Sequence, residues 1–302
     1  MKYQKEERRM IDIKLPETLE QEDHEVIGEA IYFPNMEHNF YHMSPGVSSS
    51  TIRRFGQSQL HALNEEIEDS HALRFGTAAH SLIVEGEQSF NENVACLTGS
   101  PYTNANKSLK KDYESRGLTV ISTPDRDKIY AMERALLLEG KKLLNPKDNE
   151  YPNKFVSPYE VAIFWEEDGV LLKVKSDVVR HPIDSPYSPN TISIIDYKTT
   201  QSCSVEAFTS SIKKYKYDLQ ASWYKRGYEK AGFKVENFIF VAQEKKEPYA
   251  SKIFTMKADD LASGWDLLNE LVSEYKAVIN GKQASVYNSP DIIEVNLNDD
   301  KR

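Results

Sequence analysis

Apolar positions along the chain change period near residue 145. Before that point they recur at helical spacing. Ser48-Ser49-Ser50-Thr51 predicts a helix N-cap, with Ile52, Phe55, Leu60 and Leu63 spaced as one apolar face. A second helix is expected from Ala72 to about Val84, facing inward through Leu73, Ala79, Leu82 and Ile83. Residues 101–117 are rich in Asn and Lys and read as loop with a short helix. Thr123-Pro124-Asp125 supplies an N-cap followed by Pro at the first helical position. Ile129, Met132, Ala135, Leu136 and Leu143 carry that helix to Asn145-Pro146.

β-branched runs take over beyond this. Tyr159–Glu166 and Val170–Val179 flank Glu167-Asp168-Gly169, a hairpin signal. Ile192–Tyr197 predicts a third strand, reached through the Pro-bearing stretch from His181 to Asn190. Helices are expected over Val205–Ile212 and Tyr217–Ala231, strands over Val235–Ala242 and Lys252–Met256, and a closing helix over Ala258–Ile279. This order predicts an α/β fold, a central mixed sheet flanked by helices.

With 302 residues, 39% of them hydrophobic and 28% charged, the chain can bury a full core. Residues 1–44 are expected to be a polar arm, 45–285 the folded domain and 286–302 an acidic tail. No apolar run approaches the ~20 residues of a membrane span. The charged start Met1-Lys2-Tyr3-Gln4-Lys5-Glu6-Glu7-Arg8-Arg9 lacks the apolar region of a signal peptide. Cys96 and Cys203 are too few for a disulfide framework or a cysteine-held zinc or iron–sulfur site, and a cytoplasmic setting is expected.

The formal net charge of -9 argues against nucleic acid only at long range. Between Ser211 and Lys230 the balance reverses: Lys213, Lys214, Lys216, Lys225, Arg226 and Lys230 outnumber Asp218 and Glu229.

Candidate chemistry gathers on four elements. Asp196 and Lys198 stand two apart at the end of the third strand, so both side chains point into one space. A carboxylate there can hold a divalent cation, and the ammonium can orient or deprotonate a water; a strand-end salt bridge is the bland alternative. Asp177, on the second hairpin strand, can stand beside Asp196. His80 follows Gly76-Thr77-Ala78-Ala79, small residues that suit close helix packing, and is either a metal ligand or a core imidazole satisfied by a carbonyl. Gln220 and Tyr224, at i and i+4, share one helix face beside the basic run. They suit phosphate and sugar contacts, or the helix is an ordinary amphipathic one.

Taken in order, Gly76/His80, Asp177, Asp196/Lys198 and Gln220/Tyr224 resemble the motifs of the PD-(D/E)XK nuclease superfamily. More closely, they look like the branch of exonuclease VIII and the RecB-type nucleases. Phe75-Gly76-Thr77-Ala78-Ala79-His80, Asp196-Tyr197-Lys198-Thr199-Thr200 and Tyr217-Asp218-Leu219-Gln220 carry the likeness, which extends over about residues 45–280. Two departures stand out. Lys175-Ser176 precedes the first Asp, where the family often has Pro or an Arg-x pair. Two cysteines also exclude the branch that binds an iron–sulfur cluster.

The resemblance implies a restriction-endonuclease-like core and a Mg²⁺- or Mn²⁺-dependent exonuclease. His80, Asp177, Asp196 and the Tyr197 carbonyl would be the ligands and Lys198 the water-positioning cation. Glu160 would be an outer or second-metal group, or merely a strand-edge charge, with Gln220 and Tyr224 contacting the scissile strand or orienting the lysine. It further implies 5′ to 3′ resection of linear duplex DNA leaving 3′ overhangs. The expected partner is a single-strand annealing protein, and the expected assembly a homo-oligomeric ring, trimer or tetramer. Arg53, Arg54 and Arg74 are candidates for holding a 5′-phosphate, and Lys213, Lys214 and Lys216 for the DNA backbone. An endonuclease of the same fold, or a DNA-binding module without catalysis, is the alternative.

Overall fold

A computed structural model of the chain describes residues 17–286 apart from 21–23, 35, 37, 65–68, 148, 183–187 and 257. It opens with helix α1 (Glu17–Glu20), strands β1 (Glu25–Ile27) and β2 (Ala30–Phe33), and helix α2 (His38–Met43). Helices α3 (Ser49–Gln57), α4 (Gln59–Asn64) and α5 (His71–His80) follow, and α5 runs on into a π-helical turn (Ser81–Glu85). Next come α6 (Glu87–Asn93), β3 (Val94–Leu97), α7 (Asn104–Ser115), β4 (Thr119–Ser122), α8 (Thr123–Ala135) and α9 (Leu138–Leu144). The second half holds β5 (Tyr159–Glu167), β6 (Val170–Arg180), β7 (Thr191–Thr200), α10 (Val205–Tyr215) and α11 (Tyr217–Lys230). Strands β8 (Lys234–Glu244) and β9 (Ser251–Thr255) and helix α12 (Ala258–Ile279) complete it.

The central sheet has seven strands in the order β1-β2-β5-β6-β7-β8-β9. Its pairs are antiparallel except β7 with β8. The β5–β6 hairpin turns at Asp168 and Gly169, with φ of 52° and 79°, the left-handed pair of a type I′ turn. Helices α3, α11 and α12 cover one sheet face, over Ile163, Trp165, Val174, Ile194 and Phe240. Helices α5, α8 and α9 cover the other, over Val178, Ile195, Tyr197, Ile239 and Val241. Trp165 and Trp223 are fully buried with ring centroids 5.5 Å apart, and the Trp223 indole donates to the Lys173 carbonyl at 2.9 Å. That bond satisfies the polar end of a large apolar body.

Several expectations shift. Residues 25–33 are not part of a polar arm: they form two strands, and β2, buried along its whole length, pairs with β5. Residues 1–16 and 287–302, the start of the expected arm and nearly all of the tail, lie outside the described residues. Ser48 caps α3 as expected, but the chain turns extended at Ser58. Ile52 and Phe55 are therefore buried, while Leu60 and Leu63, on a separate helix, are each 42% exposed. Ser122 rather than Thr123 caps α8, and Leu143 sits on α9. Where loop and a short helix are expected, α7 instead links the strands of a small parallel pair, β3–β4.

Candidate active site

The site arises where two strands part. β6 and β7 pair only at Val178↔Ile195, Val179↔Ile194 and Arg180↔Ser193. One step further stand Asp177 and Asp196, and from there β6 continues beside β5 and β7 beside β8. The Tyr197 N–H, beyond the last ladder pair, donates instead to Asp177 Oδ2 at 2.8 Å. A side chain thus substitutes for the missing strand partner, satisfying a backbone donor that burial would otherwise penalise.

On the β6 side, Glu160 stands opposite Asp177, between the pairs Tyr159↔Val178 and Val161↔Ser176. Its φ of 53° is the left-handed region uncommon for a non-glycine residue. Glu160 Oε2 pairs with Lys175 Nζ at 2.6 Å, and Oε1 lies 3.4 Å from His80 Nε2. Asp177 Oδ1 lies 3.2 Å from the same nitrogen. Burial works against a charged His80, but Asp177 and Glu160 outweigh it and raise the imidazole pKa well above its ordinary value. For Asp177, burial is likewise overcome, chiefly by His80, and its pKa falls.

The other face of His80 meets a residue that helical spacing would not select. In an α-helix, position i+5 points well away from position i. The π-helical turn Ser81–Glu85, with its wider winding, aligns them, and His80 Nδ1 lies 3.1 Å from Glu85 Oε1. Ser89 Oγ donates to Glu85 Oε2. A Cβ added at Gly76 would meet only Thr199 Oγ1, at 3.9 Å, so the tight packing expected there is not required.

On the β7 side, Asp196 is 1% exposed. Lys198 Nζ lies 2.6 Å from its Oδ2, and Gln220 Nε2 donates to its Oδ1 at 3.0 Å. Gln220 therefore orients the carboxylate rather than the lysine. Burial pushes the Asp196 carboxyl up to about 6, with Lys198 pulling against it. Burial opposes charge on Lys198 too, yet Asp196 and Asp177 raise its pKa and favour the ammonium form. Tyr224 stays a neutral phenol, its pKa raised by burial and then by Asp196 and Asp177.

Apart from buried Asp196, the charged groups of the site together with Gln220 and Tyr224 line a cavity of about 470 Å³, also lined by Tyr41, His42, Ser48, Arg53, Thr77 and Tyr217. Tyr41 and His42 come from the stretch expected to be an arm. Buried Lys173 fixes that stretch by donating to the carbonyls of Tyr41 at 2.7 Å and Ser44 at 2.6 Å. Of the cationic candidates, Arg53 lines the cavity and donates to the Tyr215 carbonyl at 2.8 Å. Arg74 pairs with Asp69, and neither it nor Arg54 lines the cavity. Lys213, Lys214 and Lys216 are exposed at the elbow between α10 and α11, where Lys216 has a φ of 53°. Glu85, Lys175 and Tyr41 belong to the site although sequence reasoning does not select them. Lys175 alone has a signal, standing two residues before Asp177 on one strand face.

The donor set fits a divalent cation. One ligand atom from each of His80, Glu85 and Glu160 lies within 4.8 Å of the others, with Asp177 adjoining. His80 Nε2 and Asp196 Oδ2 are buried without a hydrogen-bond partner, although both have charged neighbours. Carboxylates with one imidazole suit Mg²⁺ or Mn²⁺.

A splayed mixed sheet bearing Asp, Asp-x-Lys and a helix-borne His defines a PD-(D/E)XK-type protein. The family model described as "PDDEXK-like domain of unknown function (DUF3799)" matches residues 48–292, and the chain belongs to this family. Among solved structures, a "putative exonuclease" from Eubacterium rectale is similar with a TM-score of 0.54 and 15% identity, covering 83% of this chain and 90% of that one. That likeness shows the fold. Rai1 from Scheffersomyces stipitis matches at a TM-score of 0.28 and 12% identity over 77% of this chain and 63% of its own, too distant to carry an argument. No curated protein matches in sequence. Family and fold together support a nuclease. No helix among the described residues is long and apolar enough to cross a membrane.

Proposed function

We propose that the protein is a divalent-metal-dependent exonuclease acting on the ends of linear duplex DNA. The observation that carries this reading is the convergence of His80, Asp177, Asp196 and Lys198 at the point where β6 and β7 part. His80, Asp177, Asp196 and the Tyr197 carbonyl would hold Mg²⁺ or Mn²⁺, with Glu160 beside Asp177 at the same imidazole nitrogen and Glu85 at the other. The ion, once bound, would stabilise charge on the scissile phosphate and acidify the attacking water. Lys198, kept charged by two carboxylates, positions that water and neutralises developing negative charge. Gln220 fixes the Asp196 carboxylate, and the Tyr224 hydroxyl is available as a donor to the substrate.

A cavity of about 470 Å³ has room for one or two nucleotides beside these groups. Resection from the 5′ end, a 3′ overhang passed to an annealing protein, and a trimeric or tetrameric ring rest on the resemblance of the motifs. A ring also suits the charge of -9, since basic groups could line the hole while acidic ones face outward.

The test is digestion of linear and covalently closed circular duplex with Mg²⁺, with Mn²⁺ and with chelator. End labels and 5′-phosphate or 5′-hydroxyl termini report polarity and end preference. Degradation of linear DNA alone, abolished by chelator, is expected. Cleavage of the closed circle would replace the reading with an endonuclease, and metal-insensitive binding without cleavage would replace it with a DNA-binding module.

A further inference from the structure

Beside the cavity lies an aromatic pair that none of the catalytic groups requires. Left-handed Lys216 joins α10 to α11 and sets Tyr215 and Tyr217 side by side, ring centroids 5.7 Å apart and planes inclined at 28°. Tyr217 is the inner member. It packs against Phe240 at 5.6 Å and Phe208 at 6.3 Å, and its ring lies 5.2 Å from Lys198 Nζ. Tyr215 is the outer member and is 49% exposed. Its carbonyl is held by Arg53, which lines the cavity, and Lys214 Nζ lies 5.3 Å from its ring centroid.

An exposed phenol ring, rigidly backed, edged by cations and one ring away from Lys198, is shaped for one ligand chemistry. A flat base can stack on the outer ring while adjacent phosphates meet Lys213, Lys214 and Arg53. Stacking of this kind is sequence-tolerant because every base has a π-face. The Lys214 stem is flexible and exposed, so its ammonium can leave the ring for a phosphate. We propose that Tyr215 is the stacking platform for a base of the bound strand next to the scissile phosphate, held there by the Tyr217 ring beneath it. The platform rests on the nuclease reading and adds the element that places a nucleotide in register with Lys198.

The test uses linear duplexes carrying 2-aminopurine at each of the first three positions from either end. Ca²⁺ replaces Mg²⁺ for fluorescence, and Mg²⁺ is used for turnover. The wild type should change the probe's emission at one position on binding. Tyr215→Ala should lose that change and raise KM for DNA roughly 5- to 100-fold, with a smaller effect on kcat. Tyr215→Phe and Tyr215→Trp should retain both properties. If Tyr215→Ala alters neither fluorescence nor KM while the wild type degrades DNA, the platform is wrong and the nuclease reading stands. If the wild type neither binds nor degrades DNA, both are wrong.

Discussion

Lys198→Met puts the central ion pair to a test that does not depend on turnover. The substitution keeps the apolar stem and removes the ammonium 2.6 Å from Asp196 Oδ2. It leaves a carboxylate 1% exposed, with Gln220 still donating to Oδ1. Breaking one side of a buried pair costs about 3–5 kcal/mol, because the remaining charge is desolvated and uncompensated. The cost depends on pH, since Asp196 can escape it by taking a proton. Burial already holds its carboxyl at about 6 with Lys198 in place, against 3.8 for a free group. A native pKa raised above the unfolded one means that the native state binds more protons between those values. Stability therefore falls as pH rises through that window, by about 1.4 kcal/mol for each pH unit that separates the two values. Without Lys198, which pulls it down, the native pKa climbs further and the window widens upward.

The deficit of Lys198→Met relative to wild type should thus be small near pH 5 and grow to at most about 3 kcal/mol near pH 8, about 1.4 kcal/mol for each pH unit above 6, read from urea unfolding in chelator. Adding Asp196→Asn to the same variant should recover most of the loss at pH 8. Cleavage should vanish in both variants while DNA is still bound. A deficit equal at pH 5 and pH 8, or one that Asp196→Asn leaves untouched, would refute the account of Asp196 as a buried charge held by Lys198.

Glu85→Gln should lower Mn²⁺ affinity about 10- to 100-fold in calorimetric titration with the fold intact, because the carboxylate fixes and strengthens the imidazole; unchanged affinity would make the contact incidental. Lys173, 5% exposed, is pushed down to about 8 by burial from 10.5. Its native state binds fewer protons, so it should contribute at most about 3 kcal/mol of rising stability between pH 8 and 10.5. Lys173→Met should remove that rise in paired urea titrations, and an unchanged difference between the two pH values would sink the assignment.

The parts of the fold legible in the sequence are those with a local cause. Asp168-Gly169 announces the hairpin because Asp-Gly readily takes the left-handed pair of a type I′ turn, and alternation two residues apart puts Asp196 and Lys198 on one face. Strand β2 has no such mark: Ala30-Ile31-Tyr32-Phe33 is buried on both faces and four residues long, so it shows no alternation. Its silence hides Tyr41 and His42, which the same segment carries to the cavity. Glu85 is hidden by a geometry that breaks the helical rule for partners of His80. Arg74 is a candidate by its position in the sequence alone, and Asp69, five residues before it, takes its charge.

The two lysines of the site differ in exposure. Both border the cavity, and each pairs with a carboxylate at 2.6 Å. Lys175, its side chain 7% exposed, is committed to Glu160 and lies 6.0 Å from the Tyr41 ring. Largely enclosed by protein groups, it fixes a carboxylate whose backbone is already in an uncommon conformation. Lys198, 21% exposed on the same measure, pairs with Asp196 and faces Tyr217. Equal ion-pair lengths therefore do not mean equal roles. A cation held by His80, Asp177 and Asp196 would take over part of the Asp196 charge that Lys198 now balances. That exchange would free the ammonium for phosphate, whereas Lys175 has far less open space into which to leave. The asymmetry follows from where β6 and β7 separate: Lys175 lies back along β6 near Tyr41, and Lys198 lies forward along β7 where the cleft opens.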